Sequence, residues 1–143
     1  DGADKSILAS CQTEGEKTGA CIKLSDNIDD LMGADVLYSD IWASMGEEEL
    51  IPQRAKLLAP YRIDDQMLAR TGNPNVIFMH CLPSFHDFET KLAQEWKEKG
   101  VDIREVTDEV FRGQHSVVFD EAENRMHTIK EVILDTLGVP DEI

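Results

Sequence analysis

Four apolar residues in a row, Val76-Ile77-Phe78-Met79, sit between the turn Thr71-Gly72-Asn73-Pro74 and the loop His80-Cys81-Leu82-Pro83. A short, continuous apolar run bounded by turn residues suits a strand covered on both faces. Asp35-Val36-Leu37-Tyr38-Ser39 and Ser116-Val117-Val118-Phe119 read the same way, and Ala20-Cys21-Ile22-Lys23-Leu24 alternates like a strand with one buried face. Helix-periodic stretches separate these runs. A helix is expected over 3–17, ending before Gly19, then a helical turn over 27–32 and a helix over 51–59 with Pro52 near its start, where proline is tolerated. A further short helix, 64–70, precedes the Gly-Asn-Pro turn. Phe88, Leu92 and Trp96 recur every four residues and give another helix an apolar stripe ending before Gly100. After a short element over 106–111, the last helix is predicted to start at Asp120 as N-cap, with Glu123 completing a capping box. Ala122, Met126, Ile129, Ile133 and Leu137 form its expected inner face, and Gly138 and Pro140 its stop. Strands alternating with helices predict an α/β fold: three layers, a mostly parallel sheet with helices on both faces.

The chain has 143 residues, enough for one such domain. Its formal charge of −15, from 29 acids against 14 bases, repels phosphate backbones and argues against nucleic-acid partners. No apolar run approaches the roughly 20 residues of a membrane span, and Asp1-Gly2-Ala3-Asp4 has no signal-peptide character. Cys11, Cys21 and Cys81 are odd in number and widely spaced, which suits a reducing compartment. The expectation is a soluble, cytoplasmic protein with no membrane partner.

In parallel α/β sheets ligands bind outside the carboxyl ends of the strands. Three stretches of unusual chemistry fall there: Asp40 to Gly46, His80 to His86, and Asp120 to His127. In the first, Asp40 and Ser44 can offer a carboxylate and a hydroxyl to an α-ammonium group, and a backbone N–H can meet an α-carboxylate. The alternative is a turn in which Asp40 and Ser44 satisfy local backbone groups. In the second, Pro83 forces Leu82 out of helical geometry, freeing the carbonyls of Cys81 and Leu82 to accept from an N–H₂ group. Cys81 can be a nucleophile, a proton acceptor, a metal ligand or a packed apolar thiol. A zinc site from His80, Cys81 and His86 lacks a complete ligand set. In the third, Arg125 can meet an anion near the strand ends or pair with Glu121. His115 and His127 read as structural or exposed.

Taken in order, Asp40-Ile41-Trp42-Ala43-Ser44-Met45-Gly46, His80-Cys81-Leu82-Pro83 and Phe119-Asp120-Glu121-Ala122-Glu123-Asn124-Arg125-Met126-His127 closely resemble the second-domain motifs of the ornithine carbamoyltransferases. The resemblance runs from about residue 15 to residue 138. It implies that the chain is the carboxyl-terminal, ornithine-binding half of such an enzyme, a Rossmann-like domain over 1–143 lacking its first strand. The amino-terminal carbamoyl-phosphate domain, with its Ser-Thr-Arg-Thr loop, is absent. Carried over by position, Asp40, Ser44 and the Met45 backbone bind the amino-acid end of L-ornithine. Cys81 lies at the reacting amine as the catalytic residue, and Cys81, Leu82 and Arg125 contact carbamoyl phosphate. The implied products are citrulline and phosphate, within arginine metabolism and the urea cycle, with no cofactor and no metal. The parent enzyme is expected to be a homotrimer or a multiple of trimers, and the isolated half to be inactive. A non-catalytic amino-acid-binding module and a thiol hydrolase using Cys81 are the competing readings.

Overall fold

The computed structural model describes residues 4–44 and 46–138. The chain divides into two compact units, residues 1–30 and residues 31–143. In the first unit, helix α1 (Lys5–Thr18) starts where the Asp4 carboxylate accepts the Ser6 and Ile7 backbone N–H groups at 2.7 and 3.2 Å. This is an N-cap satisfying donors that the first turn leaves orphaned. Gly19 ends the helix with a φ of 82°, a left-handed conformation open to glycine at little cost. Ala3, at the start of the helix expected over 3–17, lies outside the described residues.

The chain then folds back closely, with the Ala20 N–H donating to the Gly15 carbonyl at 2.9 Å. A Cβ on residue 15 would meet the Ala20 oxygen at 2.6 Å, so this return requires glycine. Residues 20–24 form no strand. The expected alternation has no buried face within this unit, where Ile22 and Leu24 are exposed. The turn expected at 27–32 is a 3₁₀ turn, Ile28–Leu31.

The second unit is built on two parallel strands, β1 (Val36–Ser39) and β2 (Ile77–His80), in register from Val36 opposite Ile77 to Ser39 opposite His80. The expected strand at 116–119 is reduced to one parallel bridge, Ser116 to Phe78. Phe78 donates to the His115 carbonyl at 2.7 Å and accepts from Val117 at 3.0 Å, after which the backbone turns helical at Val118. A second parallel bridge joins Ile63 to Val106. Among the described residues the sheet of this α/β fold is therefore small. Its core holds Phe78, Val76, Val106, Val110 and Val118, all nearly inaccessible to solvent. Burying a side chain such as Phe78 contributes about 2–3 kcal/mol. Burial along β2 alternates, with Phe78 and His80 buried and Ile77 and Met79 half-buried, instead of being complete on both faces.

Helix α2 (Ile51–Leu58) carries Pro52 in its first turn, as expected. Helix α3 (Asp65–Arg70) is capped by Asp64, whose carboxylate accepts the Met67 N–H at 2.8 Å. Helix α4 (Lys91–Glu98) is capped by Thr90. Phe88 precedes α4 yet packs with Leu92 and Trp96 on a buried cluster of Ile51, Ala93 and Ile103. Helix α5 (Asp108–Phe111) follows.

Helix α6 (Val118–Leu137) begins two residues before the expected Asp120 cap. Val117 is the N-cap and makes no side-chain capping bond, so the Asp120–Glu123 box is not formed. Val118 alone is buried on this helix. The face expected to point inward is open instead: Met126, Ile129, Ile133 and Leu137 are 49–71% exposed, and Ala122 is exposed too. Only the first turn of α6 meets the sheet, leaving the rest of the stripe without a described layer to cover. Gly138 ends the helix at a φ of 68°, and Pro140 lies outside the described residues.

Candidate active site

Parallel pairing brings the carboxyl ends of β1 and β2 side by side, so the residues that leave them, Asp40 and Cys81, become neighbours. The Cys81 thiol donates to the Asp40 carboxylate at 3.0 Å, and the Asp40 Oδ1 also accepts the Ile41 N–H at 2.7 Å. Hydrogen bonding from Cys81 is the main influence holding the Asp40 carboxyl below its ordinary range. Burial, then the hydrogen bond to Asp40 and its charge, push the Cys81 thiol up to about 11. At neutral pH the pair is a neutral thiol beside an ionised carboxylate. The carboxylate is its proton acceptor, and a thiol so far from a thiolate is a poor nucleophile.

Glu121, in the first turn of α6, ties the strand ends to that helix. One of its oxygens accepts from the Tyr38 hydroxyl at 2.8 Å and the other from the His80 N–H at 3.1 Å. The bond to Glu121 is the first cause of the Tyr38 phenol being pushed up to about 12. Tyr38, His80, Cys81, Glu121, Asn124 and Arg125 line a polar cleft of about 290 Å³. Arg125 thus shares a cleft with Cys81, and among the described residues its guanidinium has no ion-pair partner; Glu121 is engaged elsewhere.

Behind this rim the loop after β2 is held by a buried pair. His80 Nδ1 accepts the Leu82 N–H at 2.9 Å, and Leu82 takes a φ of 49°, uncommon for a residue with a side chain. His80 Nε2 faces Glu105 at 3.2 Å, and both side chains are wholly buried. The same Glu105 oxygen accepts the Phe85 N–H at 2.6 Å. Two buried polar groups therefore pin both sides of Leu82-Pro83, with Cys81 projecting at the near end. Leu82 is half-buried and Leu82-Pro83 is a cis peptide.

Ser44 is placed differently. It is exposed at the edge of a second, apolar cavity of about 140 Å³ whose walls include Trp42, Ile51, Pro83, Phe85 and Ile103. This cavity is apolar, whereas the titratable groups Tyr38, Cys81, Glu121 and Arg125 converge in the cleft. Met45 lies outside the described residues. Asp40, Cys81 and Arg125 are thus gathered at one rim, with Ser44 on the neighbouring loop.

Glu121, Tyr38 and Glu105 were not singled out as site residues by sequence. Glu121 had a signal, an acid in the first turn of a helix opposite a strand end, but Glu105 carries none until the fold buries it beside His80. His80, Cys81 and His86 do not converge as metal ligands among the described residues. His86 instead stacks on Phe111 at 3.7 Å and meets Asp108 at 2.7 Å. His86, Asp87 and Asp108 do place ligand atoms within 4.8 Å of one another, but Arg112 contacts both acids, at 2.8 Å to Asp108 and 3.5 Å to Asp87.

Residues 2–136 match the family model described as aspartate/ornithine carbamoyltransferase, Asp/Orn binding domain. The chain belongs to the aspartate/ornithine carbamoyltransferase family. Within this family it is 56% identical over 138 residues to a protein of Clostridium perfringens named ornithine carbamoyltransferase, catabolic, covering 94% of this chain and 42% of the relative. Among solved carbamoyltransferases, the ornithine carbamoyltransferase from Pyrococcus furiosus matches with a TM-score of 0.73 at 31% identity, covering 92% of this chain and 37% of that one. The anabolic ornithine carbamoyltransferase from Campylobacter jejuni matches with a TM-score of 0.74 at 28% identity, covering 94% and 40%. The chain therefore spans about 42% of the length of the curated relative it matches. These neighbours support an α/β, Rossmann-like carbamoyltransferase domain with the small parallel sheet described above. Among the described residues no helix is long and apolar enough to cross a membrane.

Proposed function

We propose that the chain is the ornithine-binding half of an ornithine carbamoyltransferase and supplies one side of its active site. The observation that carries this reading is the Asp40–Cys81 contact at the strand ends, opening on the cleft that Arg125 also lines. Asp40, with Ser44 and the Met45 backbone, takes the amino-acid end of L-ornithine. Cys81 and Leu82 face the carbamoyl group, and Arg125 contacts carbamoyl phosphate through a guanidinium that has no described ion-pair partner.

A side-chain ammonium with an ordinary pKa near 10.4 must lose a proton before it can attack. The Cys81 thiol, hydrogen-bonded to the ionised Asp40 carboxylate, stands on the side of that amine, so the proton passes through the thiol to Asp40. The freed amine nitrogen then bonds to the carbamoyl carbon, the carbon–oxygen bond to phosphate breaks, and its electron pair leaves with the phosphate. The nitrogen gives its second proton to the departing phosphate, so citrulline, phosphate and the proton taken up by Asp40 account for every atom. Hydrogen-bond acceptors held by the pinned Leu82-Pro83 loop would orient the carbamoyl N–H₂ as charge develops.

The amino-terminal domain of the parent enzyme completes the site, in a trimer or a multiple of trimers, within cytoplasmic arginine metabolism. The test joins this chain to the part of the Clostridium perfringens relative that it does not match, and measures citrulline formation. Activity in the joined protein and none in the 143-residue chain is expected; robust turnover by the chain alone would refute the half-enzyme reading. The raised thiol pKa disfavours a Cys81 hydrolase. A non-catalytic ornithine-binding module predicts a joined protein that binds ornithine without producing citrulline.

A further inference from the structure

Arg54, on α2, reaches back over the loop that follows β1. Its Nη1 donates to the Trp42 carbonyl at 3.2 Å and to Glu47 Oε2 at 2.7 Å, and its Nη2 donates to Glu47 Oε1 at 3.0 Å. Glu47 Oε2 in turn accepts the Ser44 N–H at 3.2 Å. One guanidinium therefore grips the segment 42–47 near both ends and, through Glu47, fixes the amide of Ser44. On the other flank, Arg62 lies over the Trp42 ring at 5.6 Å. Arg62 is itself held by the Arg104 carbonyl at 2.7 Å and by Asp102 at 3.1 Å.

Arg54 and Glu47 are about a third exposed, at 33% and 39% of their side-chain surfaces. Pairs this wet add little to global stability. The effect of this one is local, because a bidentate pair fixes direction as well as distance, and what it directs is the loop carrying Ser44.

We propose that Arg54 is a positioning residue for the amino-acid end of the site: acting through Glu47 and the Trp42 carbonyl, it sets where Ser44 stands without itself touching ligand. This rests on the function proposed above, since it concerns the same loop. Lysine cannot take its place. A single ammonium on a flexible stem lacks the planar fork that meets two Glu47 oxygens and a carbonyl together.

The test measures amide hydrogen exchange at Ser44 and the affinity for L-ornithine in this chain joined to the unmatched part of its Clostridium perfringens relative. Wild type is compared with Arg54→Met, Arg54→Lys, Glu47→Gln and the double variant Arg54→Met/Glu47→Gln. Ser44 exchange is expected to rise about tenfold in Arg54→Met, Arg54→Lys and Glu47→Gln, and no further in the double variant, because the two side chains act as one unit. Thermal midpoints should stay within about 3 °C of wild type, and Arg54→Met should weaken ornithine binding at least about fivefold. Unchanged Ser44 exchange in Arg54→Met overturns the proposal, and so do additive effects in the double variant or a loosened loop that binds ornithine as tightly as wild type. If Ser44 loosens as expected but the wild type takes no ornithine, the brace stands and the ornithine reading of this chain fails.

Discussion

The Cys81 thiol hands its proton toward the Asp40 carboxylate across 3.0 Å, so the more acidic group keeps the charge and the thiol stays neutral. Alkylation reports thiolate. With Cys11 and Cys21 replaced by serine, the rate of Cys81 modification by iodoacetamide should remain low at pH 7–8 and climb toward a midpoint of about 11. Asp40→Asn removes the neighbouring charge and leaves only a weaker, neutral acceptor, and should bring that midpoint down. A midpoint at or below the ordinary thiol value in the unsubstituted pair would contradict the assignment of charge to Asp40.

The buried His80–Glu105 contact predicts a large and specific loss. Glu105→Ala strips the Phe85 N–H of its acceptor and leaves His80 facing a void, the loss of a buried group's partner that costs about 1–3 kcal/mol. Glu105→Gln retains an acceptor for Phe85 and should cost less. Urea unfolding of the two variants measures the difference; equal and small losses would mean that the pair does not hold the Leu82-Pro83 loop.

Asp102 ties Arg62 and Arg104 together at 3.1 and 2.8 Å. Burial alone would raise its carboxyl, but the hydrogen bonds from Arg104 and the charges of Arg62 and Arg104 outweigh it and leave the group below its ordinary range. A depressed folded value stabilises the fold above the unfolded pKa near 4, and that gain disappears as pH falls through the folded value. Asp102→Asn should therefore cost about 1 kcal/mol at pH 7 and progressively less on acidification. The check is paired thermal melts from pH 7 to pH 2.5; a gap that widens in acid would reverse the sign argued here.

The open stripe of α6 gives the opposite expectation from a core. Ile133 is 53% exposed and Ile129 49%, so Ile133→Gln should change unfolding free energy by less than about 0.5 kcal/mol. Loss of several kcal/mol on chemical denaturation would show that the stripe is buried in solution.

The stripe also marks the limit of what the sequence made legible. Apolar spacing located α6 correctly but cannot say whether a layer exists to cover it. The alternation at 20–24 misled for the same reason, since a strand needs a partner as well as a pattern. Elements whose ends are chemically marked were readable to within a residue or two: α1 by Gly19, α2 by Pro52, and α3 by the Gly-Asn-Pro turn that follows it. In the site, Asp40, Cys81 and Arg125 were visible because each stands at the exit of a buried strand or on the flank of a helix stripe. Glu105 was not. Its role arises only when a segment far along the chain is folded behind His80, a long-range burial that local chemistry does not announce.

The most direct measurement is citrulline formation by this chain joined to the unmatched part of its Clostridium perfringens relative, with Asp40, Cys81 and Arg125 each changed in turn. The account predicts that Asp40→Asn raises the KM for ornithine and lowers kcat, that Cys81→Ala lowers kcat, and that Arg125→Met raises the KM for carbamoyl phosphate, each loss being about 100-fold or more in kcat/KM. Full activity in all three variants would contradict it.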